Sequence, residues 1–207
     1  MTEHAAPSVY PLQVEGELDG RLSRWLWLVK WVLVIPHVFV LVVLWIAFVV
    51  LTLVAFFAIL FTGRYPRAIF DFNVGVMRWT WRVVYYACAL GTDRYPPFTL
   101  APAGYPAELD VPYPDRLSRS KAFFKPWLLT LPHWLIVALF LGWWDTDGGP
   151  PGLLTVLAAI AGAVLLFTGR YARDLFGLVL GMARWVARVG VYAALMRDEY
   201  PPFRLDR

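Results

Sequence analysis

Four arginines stand in two pairs, Arg78 with Arg82 and Arg184 with Arg188, each pair four residues apart in an otherwise apolar stretch. On a helix that spacing puts both guanidinium groups on one face, where like charges cost about 0.2–0.5 kcal/mol. No acidic residue lies between the members of either pair. An anion is therefore the expected partner, and lipid phosphate suits the two-pronged guanidinium. Arg64 and Arg170, each in a GRY tripeptide, continue the same basic stripes. The reading assigns anionic-lipid binding to Arg64, Arg78, Arg82, Arg170, Arg184 and Arg188.

Other residues suggest chemistry more faintly. His37 and His133 each follow a proline, and side by side they would offer a paired-histidine site for metal or haem. Zinc sites normally use four ligands, and no cysteine or acidic cluster lies near either histidine. The simpler role is satisfying carbonyls freed by the proline kink, so no metal and no cofactor is expected. Gly177 and Gly181 form a G-x-x-x-G with Gly75 at the matching earlier place, a spacing that lets membrane helices approach closely. These three glycines are expected at a helix contact, within the chain or in a homo-oligomer. Asp19, Asp93, Asp110 and Asp198 read as solvated or capping residues, and Asp71 as an ion-pair partner of Arg67. There is no Walker lysine loop, G-x-G-x-x-G, H-E-x-x-H or G-x-S-x-G. The chain is not expected to be an enzyme.

The elements that must position these residues are written twice. LFTGRY occurs at 60–65 and 166–171, RLSR at 21–24 and 116–119, and YPPF at 95–98 and 200–203. Pro36-His37 returns as Pro132-His133. The spacing between copies jumps at an insertion around DTDGGPPG. The division is a tail at 1–9, repeat 1 at 10–100, a linker at 101–104 and repeat 2 at 105–205.

Composition gives these repeats their solvent. The 207 residues are 59% hydrophobic and 16% charged, with a net charge of +4 and a single cysteine. Soluble domains average about 45–50% apolar and about 25% charged, so this chain is displaced toward a membrane, and no intrachain disulfide can form. The first twenty residues lack any Lys or Arg and are not a signal peptide. Residues 25–61 are almost wholly apolar; as one helix they would be roughly 55 Å long against a bilayer core of about 30 Å. A single straight crossing is therefore excluded, and the insert of repeat 2 reads as a turn. By alignment repeat 1 turns near Trp45–Phe48. The expectation is a transmembrane helical hairpin in each repeat, at about 25–62 and 121–168. Lys and Arg gather at the hairpin bases, which places the bases and both chain ends in the cytoplasm and the tips outside. Short second limbs leave partial penetration open.

After each hairpin comes an amphipathic segment, 68–90 and 174–195. Its arginines at bilayer depth would cost about 2.5–3.5 kcal/mol each, so an interfacial helix is favoured over a third crossing. The Tyr-Pro flanks are extended pieces able to form a small sheet. The fold class is thus an all-α integral membrane protein of two tandem units, each a hairpin followed by an interfacial helix.

The repeated RLSRWLWLVKW, IPH, FAILFTGRYPRAIFDFNVGVMRWTWRV and LGTDRYPPF segments resemble a bacterial family of multi-pass membrane proteins known as domain of unknown function 4389, present as two copies. The second copy departs from the pattern, with GRYARDLFGLV placing Gly177 opposite Asp71. The resemblance implies a bacterial plasma-membrane location and no established activity. Taken together, the expected role is non-catalytic: organising anionic lipid or a protein partner at the cytoplasmic face, with no nucleic acid. The alternatives are a small transport or channel component and a membrane redox subunit built on the two histidines.

Overall fold

The computed structural model describes residues 10–125, 130–142 and 151–205. In repeat 1, α1 (Leu26–Leu33) leads into α2 (Ile35–Thr62) through a break at Val34. Pro36 causes that break, because it has no N–H for the preceding turn and its ring crowds it. Beyond His37 no Gly or Pro interrupts the run, and α2 continues for 28 residues. It stops at Gly63, whose φ of 71° is the left-handed cap that glycine adopts without strain. The chain then turns back into α3 (Arg67–Val84) and a π-helical turn, Tyr85–Ala89.

Repeat 2 follows the same course in more pieces. They are α4 (Arg119–Phe124), α5 (Leu131–Leu141), α6 (Leu153–Thr168) and α7 (Arg173–Ala193). Gly169 ends α6 with a φ of 69°, matching Gly63. In both corners the threonine before the glycine bonds back to its own helix, Thr62 Oγ1 to Ala58 O and Thr168 Oγ1 to Val164 O.

Two expectations are corrected. There is no turn at Trp45–Phe48, which lie in the middle of α2. Nor do α5 and α6 fold back on each other. His133 and Phe140 of α5 pack on Trp185, in the far half of α7, and Val137 packs with Val189. Since α6 joins α7 by a short reversal, α5 and α6 run in the same direction, one after the other, along α7. The insertion leaves this path at Gly142 and rejoins it at Pro151, which are bridged. Asp145 and Asp147 of the insert lie outside the described residues. In each repeat the long apolar path instead packs on the helix that follows it, α2 on α3 and α6 on α7. The physical reason is continuity: a Val, Leu and Phe run without a breaker stays helical. Likewise α3 and α7 are not surface helices. Phe70, Val76, Trp79, Trp81 and Arg82 of α3 are buried, as are Phe176, Met182, Trp185 and Arg188 of α7.

The small sheet expected of the flanks exists. Strand β1 (Gln13–Gly16) pairs antiparallel with β2 (Ala107–Asp110), and Val14 faces Leu109. Those two residues occupy equivalent places in the two repeats, so a pseudo-twofold axis runs between them. Val14, Ala107 and Leu109 point into the core, while Gln13, Glu15, Glu108 and Asp110 face out.

Each repeat leans on the other. Leu117 N–H donates to Gly63 O at 2.9 Å, which places the end of α2 at the start of repeat 2. Gly162 and Gly169 of α6 sit against Trp27 and Arg24. The two apolar rods, α1–α2 and α4–α5–α6, therefore run antiparallel, each ending where the other begins. Tyr65 hydroxyl donates to Ala194 O and Tyr171 hydroxyl to Ala89 O, again across the repeats. These tyrosines are internal ties; Tyr65 is 1% exposed and does not anchor at an interface. Three layers result: rods, then α3 and α7, then the sheet.

Candidate lipid-facing site

The paired arginines are held by the protein itself. Arg78 donates from Nε to Leu109 O (3.0 Å), from Nη1 to Leu100 O (3.0 Å) and from Nη2 to Asp110 (2.8 Å). Arg82, 1% exposed, donates to Thr99 O and Ala101 O. In the other repeat Arg184 donates to Val14 O and Arg188 to Arg204 O. The compensating anion expected for these guanidiniums is thus supplied from within, as strand carbonyls and Asp110. Arg78 grips the strand of repeat 2 and Arg184 the strand of repeat 1. Lipid binding by Arg82 and Arg188 is corrected: both are buried and committed to backbone carbonyls.

Arg64 and Arg170 behave differently. Both are exposed, directly after the glycine that ends each rod. Arg64 shares a hollow of about 510 Å³ with Arg116 and Arg119, from the RLSR of the other repeat. The equivalent hollow, about 500 Å³, holds Arg170 and Arg173 with Asp19. A Cβ on Gly169 would lie 2.5 Å from Arg24 Nη2, so Arg24 of the other repeat stands beside this hollow. Each corner is composite. The first takes Arg64 from one repeat and both RLSR arginines from the other; the second takes Arg170 and Arg173 from one repeat and Arg24 from the other.

The glycines do not join helices. A Cβ on Gly75 would lie 2.8 Å from Leu100 Cβ, and one on Gly181 would lie 2.9 Å from Leu205 Cβ and carbonyl oxygen. They make room for the leucine that follows YPPF. Gly177 faces open space. The expected G-x-x-x-G helix contact is therefore a helix-to-flank contact at two of the three positions.

The histidines occupy separate aromatic boxes. Trp79 Nε1–H donates to His37 Nδ1 at 3.0 Å, and Phe98 stacks on the imidazole with centroids 3.9 Å apart. His133 is enclosed by Trp185, Tyr200 and Phe203. The boxes share no residue, so the paired-histidine arrangement is not formed. Among the described residues no three His, Cys, Asp or Glu side chains gather as a metal would need.

Below each box lies a buried cation that the sequence reading missed. Lys30 donates to Thr92 O at 2.6 Å, pairs with Asp93 at 2.9 Å and lies over the Tyr86 ring. Lys125 repeats this with Arg197 O, Asp198 and Tyr192. Burial pulls both ammonium groups below their ordinary value, against the pull of their aspartates. The aspartates also accept from RLSR: Ser23 N–H reaches Asp93 and Ser118 N–H reaches Asp198, each at 2.6 Å. Asp93 and Asp198 are therefore structural partners rather than solvated flank residues. The available signal was repetition, since lysine, aspartate and RLSR all recur at matching positions.

The outer face of the rods has the opposite character. Phe39, Val43, Ile46, Phe61, Leu135 and Phe167 are each more than half exposed, and α2 carries no charged residue. Two helices are long and apolar enough to cross a membrane, α2 and α7. Of the most apolar window in each, 17% is buried in α2 and 50% in α7, so α2 presents its apolar surface outward while α7 is largely core.

Compared with known proteins, residues 24–99 and 151–204 match the family model described as Domain of unknown function (DUF4389). No curated protein and no solved structure matches the chain.

Proposed function

The chain belongs to the DUF4389 family in two tandem copies, and on that premise we propose a non-catalytic integral membrane protein. It lies flat in one leaflet at the cytoplasmic face of the bacterial plasma membrane, where it organises anionic lipid or a protein partner. The observation that carries this reading is the double rod. An uncharged apolar face several helical turns long, exposed on one side of the molecule, is costly in water and favourable in lipid.

The flat seat follows from the surroundings of the rods. A twofold axis that relates two antiparallel rods stands perpendicular to both, and this one also passes through the β1–β2 pair. If the rods crossed the bilayer, the axis would lie in its plane and the sheet would sit at mid-depth. Glu15, Glu108 and Asp110 are exposed there, and an aspartate at bilayer depth costs about 2.5–3.5 kcal/mol. Turned through a right angle, the sheet faces water and the rods lie among acyl chains. Rod length agrees. The 28 residues of α2 would give about 42 Å of helix, which fits a core of about 30 Å only when tilted and lies along a leaflet without constraint. Basic residues at all four rod ends favour the cytoplasmic leaflet.

Fractionation tests the membrane reading. The full chain should float with vesicles, stay with them through alkaline carbonate, and leave only with detergent. Release by carbonate would overturn it.

A further inference from the structure

Resting on that membrane seat, we infer that the two composite arginine corners are a pair of equivalent binding sites for phosphodiester lipid headgroups. One is Arg64, Arg116 and Arg119; the other is Arg170, Arg173 and Arg24. Three observations meet at each. The three guanidinium groups come from both repeats, and all six residues are exposed. Among the described residues none of the six has an acidic or carbonyl partner, in contrast with Arg78 or Arg82, which are fully occupied inside the fold. Each corner also sits beside the glycine that ends an apolar rod, Gly63 or Gly169. There the chain leaves the rod for the α3 or α7 layer, which on the flat seat is the step from acyl chains toward phosphate.

The local structure aims these side chains. The left-handed glycine reverses the chain, and Arg64 N–H and Arg170 N–H donate to Thr62 and Thr168 Oγ1, both at 3.2 Å, which fixes the residue after the turn. On the RLSR side, the serine N–H bonds to Asp93 or Asp198 and so pins that segment to its repeat. Three convergent guanidinium groups repel one another in a common hollow, and a phosphate that accepts paired N–H bonds relieves this. The corners differ in one respect: Asp19 lines the second hollow and has no acidic counterpart in the first, where Pro114 stands at the matching position. The Arg64 corner is therefore the tighter site.

The test is native mass spectrometry of the full chain released from nanodiscs of mixed phosphatidylglycerol and phosphatidylcholine. Up to two phosphatidylglycerols should be retained per chain, enriched at least tenfold over phosphatidylcholine. Arg116→Gln with Arg119→Gln should remove the more strongly held one, and adding Arg24→Gln with Arg173→Gln should remove the other. Arg94→Gln, exposed and outside both corners, should change nothing. Melting temperature in detergent identifies any variant that fails to fold; for such a variant the single changes Arg64→Lys and Arg170→Lys are read instead, and each should weaken retention several-fold. Equal retention of the two lipids by the wild type, or unchanged retention in the folded corner variants, would overturn the inference. So would uptake of inorganic phosphate in detergent without retained lipid. Failure of the protein to enter nanodiscs would overturn the membrane reading itself, a separable result.

Discussion

At the residue scale, the repeated side chains divide into those that hold the fold and those left facing outward. Lys30 and Lys125 belong to the first kind. Removing one partner of a buried ion pair strands the other and costs about 3–5 kcal/mol. Lys30 is fully enclosed and Asp93 partly open, so Lys30→Met should lower stability by about 3 kcal/mol, read from denaturant melts in detergent. Adding Asp93→Asn should recover part of that loss; a double variant as unstable as the sum of its parts would show that the pair is not coupled. The arginine stripes look alike in sequence and split in structure. Their helices carry no acid between the pairs, which suggests an external anion. The actual partners come from the strand of the opposite repeat, Leu109 O, Asp110 and Val14 O, and from the flank after YPPF, Leu100 O, Thr99 O and Arg204 O. Local spacing says nothing about so distant a pairing. The exposed position of Arg64 and Arg170 was legible because a glycine stop puts the next residue at a rod end.

At the element scale, α2 and α3 are fixed by where glycine is allowed and where it is required. Gly75 is required: a methyl group there would meet Leu100 at 2.8 Å, and overpacking of this kind costs about 1–3 kcal/mol. Gly75→Ala should therefore destabilise the protein by that amount, and Gly181→Ala should do likewise against Leu205. Gly177→Ala meets nothing within 4 Å and should be neutral or stabilising by up to about 1 kcal/mol. A thermal melt of the three variants separates this pattern from a G-x-x-x-G contact, which would make Gly177 and Gly181 equally sensitive. The ends of the rods, the corner at LFTGRY and the extended Tyr-Pro flanks were all readable, since Gly, Pro and alternation act locally. The bend near Trp45–Phe48 was not. It was projected from the insert of repeat 2, on the premise that an apolar run too long for one crossing must fold back. A helix lying along a leaflet has no such length limit.

At the scale of the whole molecule, the twofold arrangement makes one surface apolar, its corners basic and its far side acidic. Glu15, Glu17, Glu108 and Asp110 are exposed around the sheet, with basic residues at the rod ends. On the proposed seat, a charge difference of this sense contributes about 1 kcal/mol per basic residue near an anionic leaflet. Binding to vesicles should consequently weaken as salt is raised before insertion, and a salt titration of vesicle association checks it; salt-independent association would speak against electrostatic docking. The central claim is that rod 1 begins and ends on the same side of the membrane. Single thiols at Gly20, just before the rod, and at Ala68, just after it, test this in a Cys88→Ser background with a membrane-impermeant maleimide. Both positions are exposed, and Gly20 has nothing within 4 Å of a new side chain. Both thiols should react in inverted vesicles and stay protected in intact cells. If one reacts only from outside and the other only from the cytoplasmic side, the rod crosses the bilayer and the flat seat is wrong.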